Sequence, residues 1–426
     1  MITIFVGVRT AQFVRTGVLG AVYNTGDSDE QKEKAMMRSA VYLDHAATTP
    51  VDPRVIEAML PYLREQFGNA SAAHSYGRRA ERALEDARAA VARVLCCTPD
   101  EIVFTSGGSE SDNLAVRGAA AAMRMHGRTL LVTTPIEHPA VLRTVEQLAR
   151  DGTSGAAYVP VDACGIVSAD ALAQCVDETT GLVSIIWGNN EVGTLQAMAP
   201  LAALAHGRGG LVHTDAVQVV GQMPLDVKAL GVDLMSLSGH KFYAPQGVGA
   251  LYVRAGTGLE AVQTGGGQES ERRAGTHNLA GIVGMAAALT IAHDEMDDHR
   301  TRIMMLRDHL IAGMLTALPG VVLTGHPTER LPNHASFIVE GVEANLLLMH
   351  LDMKGIMASS GSACKTGSPE PSDVLLAMGF TAREALCGLR LTLGRETTEQ
   401  AIETTIAALV EVVEKLRRLQ AGMKGS

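Results

Sequence analysis

From Val41 onward, short apolar runs alternate with longer segments of helical spacing. The runs fall at Ile102–Thr105, Leu130–Thr133, Ala157–Val161, Leu182–Trp187, Leu211–Thr214, Leu234–Leu237 and Ala250–Val253. Runs this short, bounded by glycine and polar residues, predict buried strands. Pro53 to Arg64 predicts a helix with proline in its first turn, and Arg78 to Leu95 a longer one rich in Ala, Arg and Glu. The alternation predicts an α/β fold with a mostly parallel seven-stranded sheet and helices on both faces. After a helical stretch from Gly281 to Ala317, a second αβ segment begins near Val321 and ends in a helix from Thr398 to Leu419. It predicts a smaller α/β C-terminal domain.

Composition narrows the partners. A net charge of -10 over 426 residues argues against direct nucleic-acid binding or adhesion to an anionic membrane surface. No apolar run reaches the roughly 18 residues that a bilayer requires. The six cysteines contain no C-x-x-C pair, so neither a zinc ribbon nor a disulfide scaffold is indicated, and a reducing cytoplasm is the expected compartment. Met1 to Gly26 is acid-poor and Asp27 to Lys34 is charged. Residues 1–40 are therefore expected to be a poorly ordered extension, a transit segment, or the product of an upstream start with Met36 or Met37 as the functional one.

In an open parallel sheet, chemistry gathers in the loops at the carboxyl ends of the strands. The richest loop is Ser236 to Gly249, where Lys241 follows a buried-strand pattern and small hydroxyl residues. A lysine held there suits a Schiff base with an aldehyde cofactor, and a surface lysine in a Gly/Pro loop is the plainer reading. Gly107, Gly108 and Ser109 open a helix after Thr105; such a start cradles a phosphate or simply caps the helix. His138 follows another strand and could stack on a flat ring or be merely packed. Asp215, at a third strand end, could hold a pyridine nitrogen protonated or cap the next helix. Together these four loops describe a site for pyridoxal 5′-phosphate. The lysine of a P-loop is missing, a dinucleotide fingerprint is missing, and the histidines form no tight metal-ligand set.

Motifs in one order from about Tyr42 to Glu396 carry a resemblance. They are Tyr42 to Pro50, Thr105 to Asn113, Ile136 to His138, Asn189 to Gly193, His213 to Gln218, Ser236 to Gly249, Arg272 to Thr276 and Ser359 to Cys364. In these the chain resembles the cysteine desulfurases of the class V aminotransferase group, fold type I pyridoxal phosphate enzymes of the iron–sulfur and nitrogenase type. The resemblance implies a large cofactor-binding domain over 50–297 and a small domain made of 41–49 and 298–420.

It also implies roles. Lys241 would form the Schiff base and move the Cα proton, His138 would stack on the ring, Asp215 would pair with its nitrogen and Gln218 with its hydroxyl. Gly108, Ser109, Ser238 and His240 would hold the phosphate, which Thr276 would reach from a second subunit, making a homodimer part of the site. Asn190 and Arg390 would receive the substrate L-cysteine. Cys364, in a Ser/Gly-rich loop, would take its sulfur as a persulfide, release L-alanine and pass the sulfur to an acceptor protein. That acceptor would be an iron–sulfur scaffold or a component of tRNA thiolation or DNA phosphorothioation.

Two rivals are a selenocysteine lyase or another pyridoxal phosphate lyase or aminotransferase that does without Cys364, and a sulfur-relay subunit with a vestigial cofactor site. The chain departs from the group's commonest pattern at His45, Ser109, Asp112, Ala244 and Gln246. His45 is expected to alter substrate or phosphate contacts. Asp112 is expected to add a negative charge near the cradle, tolerable only if it points away.

Overall fold

The computed structural model describes residues 40–361 and 370–424. The expected N-terminal extension and the loop residues 362–369, which include Cys364, lie outside the described residues. Strand β1 (Val41–Tyr42) is followed by β2 (Ile102–Thr105), β3 (Leu130–Thr133), β4 (Gly155–Tyr158), β5 (Thr180–Ser184) and β6 (Leu211–Asp215). Then come β7 (Leu234–Ser238), β8 (Gly249–Val253), β9 (Val321–Leu323), β10 (His334–Val339), β11 (Ile356–Met357) and β12 (Gly388–Thr392).

The central sheet runs β2-β8-β7-β6-β5-β3-β4, with β8 antiparallel to both neighbours and the other pairs parallel. Because side chains alternate along a strand, each strand feeds two cores. Val183, Val212, Met235, Leu237 and Tyr252 pack on one face, under the helices Ser75–Leu95 and Leu279–Asp294. Leu182, Leu234 and Leu251 pack on the other, under Gly108–Arg124 and Pro139–Arg150. Each fully buried Val, Leu or Phe there contributes about 1.5–3 kcal/mol relative to exposure.

On that second face the same alternation places Ser184, His213, Asp215, Ser236 and Ser238. Ser184 sits beside His213 and Asp215 beside Ser236 in the parallel register. A polar row therefore approaches the carboxyl edge of an otherwise apolar sheet.

A second sheet, β12-β10-β9, is antiparallel. It packs with the helices Met296–Ala317 and Glu399–Lys424 around Phe337, Leu389, Leu391 and Leu409. The two-residue period on β12 gives Leu389 and Leu391 to this core and turns Arg390 to the opposite side. Strand β1 pairs with β11, which carries the chain toward Ser359.

The structure moves several expected boundaries, three of them instructive. The helical stretch Gly281–Ala317 is two helices, Leu279–Asp294 and Met296–Ala317, bent by 73° at Glu295. The first is apolar almost all round and lies in the large core, whereas the second packs on the smaller sheet, so one straight helix could not serve both. The Leu182–Trp187 run is buried throughout but leaves the strand after Ser184, with Ile185 and Trp187 still donating to β6 carbonyls. Strand β4 begins at Gly155, earlier than Ala157. Apolar runs report burial, and ladder pairing follows less closely.

Candidate active site

A cavity of about 590 Å³ opens at the carboxyl ends of the central strands. One wall is the start of Gly108–Arg124. A Cβ at Gly108 would lie 2.8 Å from Val217 Cγ2, and Gly107 has φ +153° with its backbone against Gly249. Glycine lets the β8 start and the helix start approach this closely, and the first-turn amides form a cradle for an anion. Ser109 and Ser238 flank it, with His240 close by. The His240 Nδ1 lies 3.1 Å from Thr48 Oγ1, and burial followed by the charge of Lys241 lowers its pKa to about 4, so it is neutral at pH 7.

The floor is acidic. One Asp215 oxygen accepts the Val217 N–H at 2.9 Å, and the residue is 4% exposed. Burial raises its pKa, while the His138, Val217 and Lys241 contacts oppose that rise. His138 caps the helix Pro139–Arg150, its Nδ1 accepting from Ala140 N at 3.1 Å, and its ring forms part of the cavity wall. Capping and a place in the cavity wall thus coexist in one residue. A carboxyl oxygen from Asp112, one from Asp215 and a ring nitrogen of His138 lie within 4.8 Å of one another. Such a trio would coordinate a cation only with both acids ionised, and burial opposes that in each.

Lys241 sits in the turn after β7. Its Nζ donates to the carbonyls of Ala46 at 2.5 Å and Ala47 at 2.7 Å. Burial first, and then Arg390, lowers its pKa to about 8, against Asp215 and Asp44. Gln218 Nε2 holds the same Ala46 carbonyl at 2.9 Å. Arg390, 5% exposed, gives Nη2 to Asp44 Oδ1 at 2.8 Å and Nη1 to the Asn190 carbonyl at 2.8 Å. Its Nε is buried without a partner. Nearby Glu191 accepts from Ser372 Oγ at 2.6 Å, and burial raises its pKa against Ser372 and Arg390.

Gly108, Ser109, His138, Asn190, Asp215, Gln218, Ser238, His240, Lys241 and Arg390 therefore line one cavity. Thr276 is exposed and outside its lining, and Cys364 lies outside the described residues. The loop before Thr276 is tied to the cradle: Arg273 Nε donates to Glu110 Oε1 at 2.6 Å, while Glu110 Oε2 accepts Ser106 N at 2.7 Å.

Sequence reasoning missed Asp44 and Glu191 as cavity residues. Each stands inside a quoted motif, beside a residue with an expected role, and their charge was the available signal. His45 differs from its expectation. It packs against Gly394, bonds the Thr392 carbonyl at 2.9 Å and is absent from the cavity lining, so the substitution acts on packing.

The aminotransferase class-V family model matches residues 41–404. A cysteine desulfurase IscS of Dictyoglomus turgidum is 44% identical over 383 residues, which cover 90% of this chain and 97% of that one. A solved NifS-like protein superposes with a TM-score of 0.82 at 37% identity, covering 88% of this chain and 99% of its own. A structure described as SspA in complex with cysteine aligns at 33% identity and TM-score 0.73, covering 83% of this chain and 98% of that one. The chain belongs to the aminotransferase class-V family and, within it, to the cysteine desulfurases.

Proposed function

We propose that this cavity binds pyridoxal 5′-phosphate and removes sulfur from L-cysteine, giving L-alanine and a persulfide on Cys364. The observation that carries the reading is the placing of Lys241, Asp215 and His138 around one cavity that ends in the Gly108 cradle. The residues fit the cofactor: a glycine-shaped anion site at one end, a buried carboxyl at the other, and an imidazole and a lysine amine between. When bound, the cofactor supplies an electron sink for the bond-breaking at the substrate Cα and Cβ.

The chain's own groups do the rest. The amides of Gly108 and Ser109, with Ser238 and His240, bind the phosphate, and Thr276 reaches it from a second subunit in a homodimer. Asp215 would hold a proton on the ring nitrogen, His138 would lie against the ring and Gln218 would serve its hydroxyl. With a pKa near 8, Lys241 Nζ is part neutral at physiological pH, so it would be able to hold the cofactor's aldehyde carbon and to take and return the substrate Cα proton. Asn190 and Arg390 receive the substrate amino acid, with Arg390 gripping its carboxylate. The orphaned Arg390 Nε supports this, and a bidentate grip requires Asp44 to release Nη2. The Cys364 thiolate attacks the substrate sulfur, forming the S–S bond as Cβ–S breaks, and Cβ gains a proton.

The domain division at 41–49 and 298–420 against 50–297, a cytoplasmic setting, and delivery to an iron–sulfur, tRNA-thiolation or DNA-phosphorothioation acceptor belong to the same proposal. The relative solved with cysteine supports the substrate. Sulfide and alanine release from L-cysteine with a reductant tests it, comparing the protein with its Cys364→Ala variant. Loss in the variant with the yellow cofactor retained is expected. Full turnover by the variant would move the reading to a lyase that needs no persulfide, and a protein that takes up no cofactor would overturn it.

A further inference from the structure

Asp112 has no part in the chemistry above, yet it lines the cavity at 1% exposure. It projects from the second turn of Gly108–Arg124 onto the polar row of the sheet. The groups that face it are His213 and Asp215 on β6, Ser236 on β7, and His138 and Glu137 from the loop after β3. His213 Nε2 is 3.7 Å from Asp112 Oδ1 but is not its counter-ion. That ring lies between Ser184 Oγ at 2.8 Å and Ser236 Oγ at 3.0 Å, and burial keeps it neutral, with a pKa near 3. Asp112 Oδ1 has no hydrogen-bond partner. A buried carboxylate with an unpartnered oxygen, no cation beside it among the described residues and a second carboxyl within 4.8 Å is a combination that ionisation makes untenable.

We propose that Asp112 is a positioning residue: a carboxyl that stays protonated at neutral pH, donates toward Asp215, and so keeps the negative charge of the pair on the oxygen that faces the ring nitrogen. Asp215 has one oxygen tied to Val217 N. A donor at Asp112 fixes the remaining oxygen and lowers its appetite for a second proton, so that the proton of the pair with the pyridine stays on the ring. The inference rests on the assignment of Asp215 to that nitrogen. It also revises the expectation for Asp112, since the residue adds a donor to the site and no charge. Burial and Asp215 push its pKa well up, against Ser236, in keeping with this geometry.

Infrared difference spectroscopy of the cofactor-free protein, wild type minus Asp112→Asn at pH 7, reads the protonation directly. A protonated-carboxyl band lost in the variant is expected; Glu137 contributes a band of its own, which the subtraction removes. Pyridoxal phosphate is then titrated into wild type, D112N and D112A, following its absorbance across pH. D112N, which keeps a neutral donor, is expected to hold the cofactor as wild type does. D112A is expected to bind about tenfold more weakly and to move the pH at which the absorbance changes.

A band unchanged by D112N overturns the proposal, as does a D112A protein that matches D112N in affinity and pH profile. If wild type itself takes up no cofactor, the reading of the site fails instead, and the infrared result still decides the state of Asp112.

Discussion

Two sets of buried acids, one at the open edge of β2 and one on the second face of the central sheet, behave in opposite ways. Glu269 is wholly shielded, yet its charge is answered within the fold. Arg88 bonds both of its oxygens at 2.8 Å, His277 Nε2 approaches at 2.6 Å and Phe104 N donates at 2.8 Å. Burial works to raise its pKa, but Arg88 and His277 win and hold it near 2. Asp215, Asp112 and Glu137 are as deeply buried, and among the described residues no arginine answers them. The first group closes on itself; the second keeps its protons and leaves hydrogen-bonding capacity unused. Buried acids are expensive in either setting.

The closed cluster also explains a strained turn. Glu269, Ser270 and Glu271 take φ of +49°, +56° and +64° in succession, a left-handed path that none of the three favours. The Arg88 fork on Glu269, stacked 4.8 Å over the Phe104 ring, holds that path, and Thr276 follows five residues beyond it.

The largest effect should come from breaking the closed cluster. Arg88→Met removes the cation and leaves Glu269 stranded, at a cost of about 3–5 kcal/mol, read as a lower denaturation midpoint. A cost below about 1 kcal/mol would mean that the pair behaves as a surface salt bridge. In the open cluster the pattern inverts. Asp215→Asn keeps the acceptor for Val217 N and removes a costly charge, so stability should hold or rise. Desulfuration should fall about 10²–10³-fold, the scale for losing one preorganised electrostatic partner. A destabilised D215N protein would erase the distinction between the clusters.

Much of this site was legible because its signals are local. The glycines of the cradle, the lysine after an apolar run and the aspartate at a strand end each announce themselves within a few residues. Contacts that join distant segments were not. The Asp44–Arg390 pair spans 346 positions, and nothing near Asp112 reveals that His213 is neutral and that Asp215 stands beside it. The break at Glu295 was hidden because helical periodicity continues on both sides, while Arg54, far away in sequence, pins Glu295 at 2.5 Å. His45 misled because a motif position was read as a contact, although its ring is buried against Gly394 and outside the cavity lining.

The pH dependence of stability separates the clusters by sign. Glu269 has a folded pKa near 2, below the ordinary 4.5, so its stabilisation is complete above pH 4.5 and is lost as pH falls toward 2. Glu137 is the reverse. Burial, against the Thr134 and Ile186 hydrogen bonds, raises it to about 8. The folded state then holds a proton that the unfolded chain has released, and stability declines as pH rises from 4.5 toward 8. The slope is at most about 1.4 kcal/mol per pH unit. Glu137→Gln, whose amide oxygen still accepts from Thr134 and Ile186, should flatten the alkaline limb of a denaturation series and leave the acid limb unchanged. An unaltered alkaline limb would mean that Glu137 is ionised in the fold.

The smallest effect sharpens the contrast within the cavity itself. Lys241 is pushed down by burial and by Arg390, and held up by Asp215 and Asp44. Asp44→Asn deletes one supporting charge and leaves Arg390 unneutralised on Nη2, and both changes lower the lysine further. The downward shift should be under about one unit, because Asp215 remains and water reaches the cavity mouth. Reaction of the cofactor-free protein with a small aldehyde, followed across pH, reads it as a displacement of the rate profile to lower pH. A displacement upward would show that Asp44 acts mainly by holding Arg390 in place, so that its loss lets the guanidinium swing away from Lys241. Asp44 would then belong with Glu269, as an acid whose work is structural.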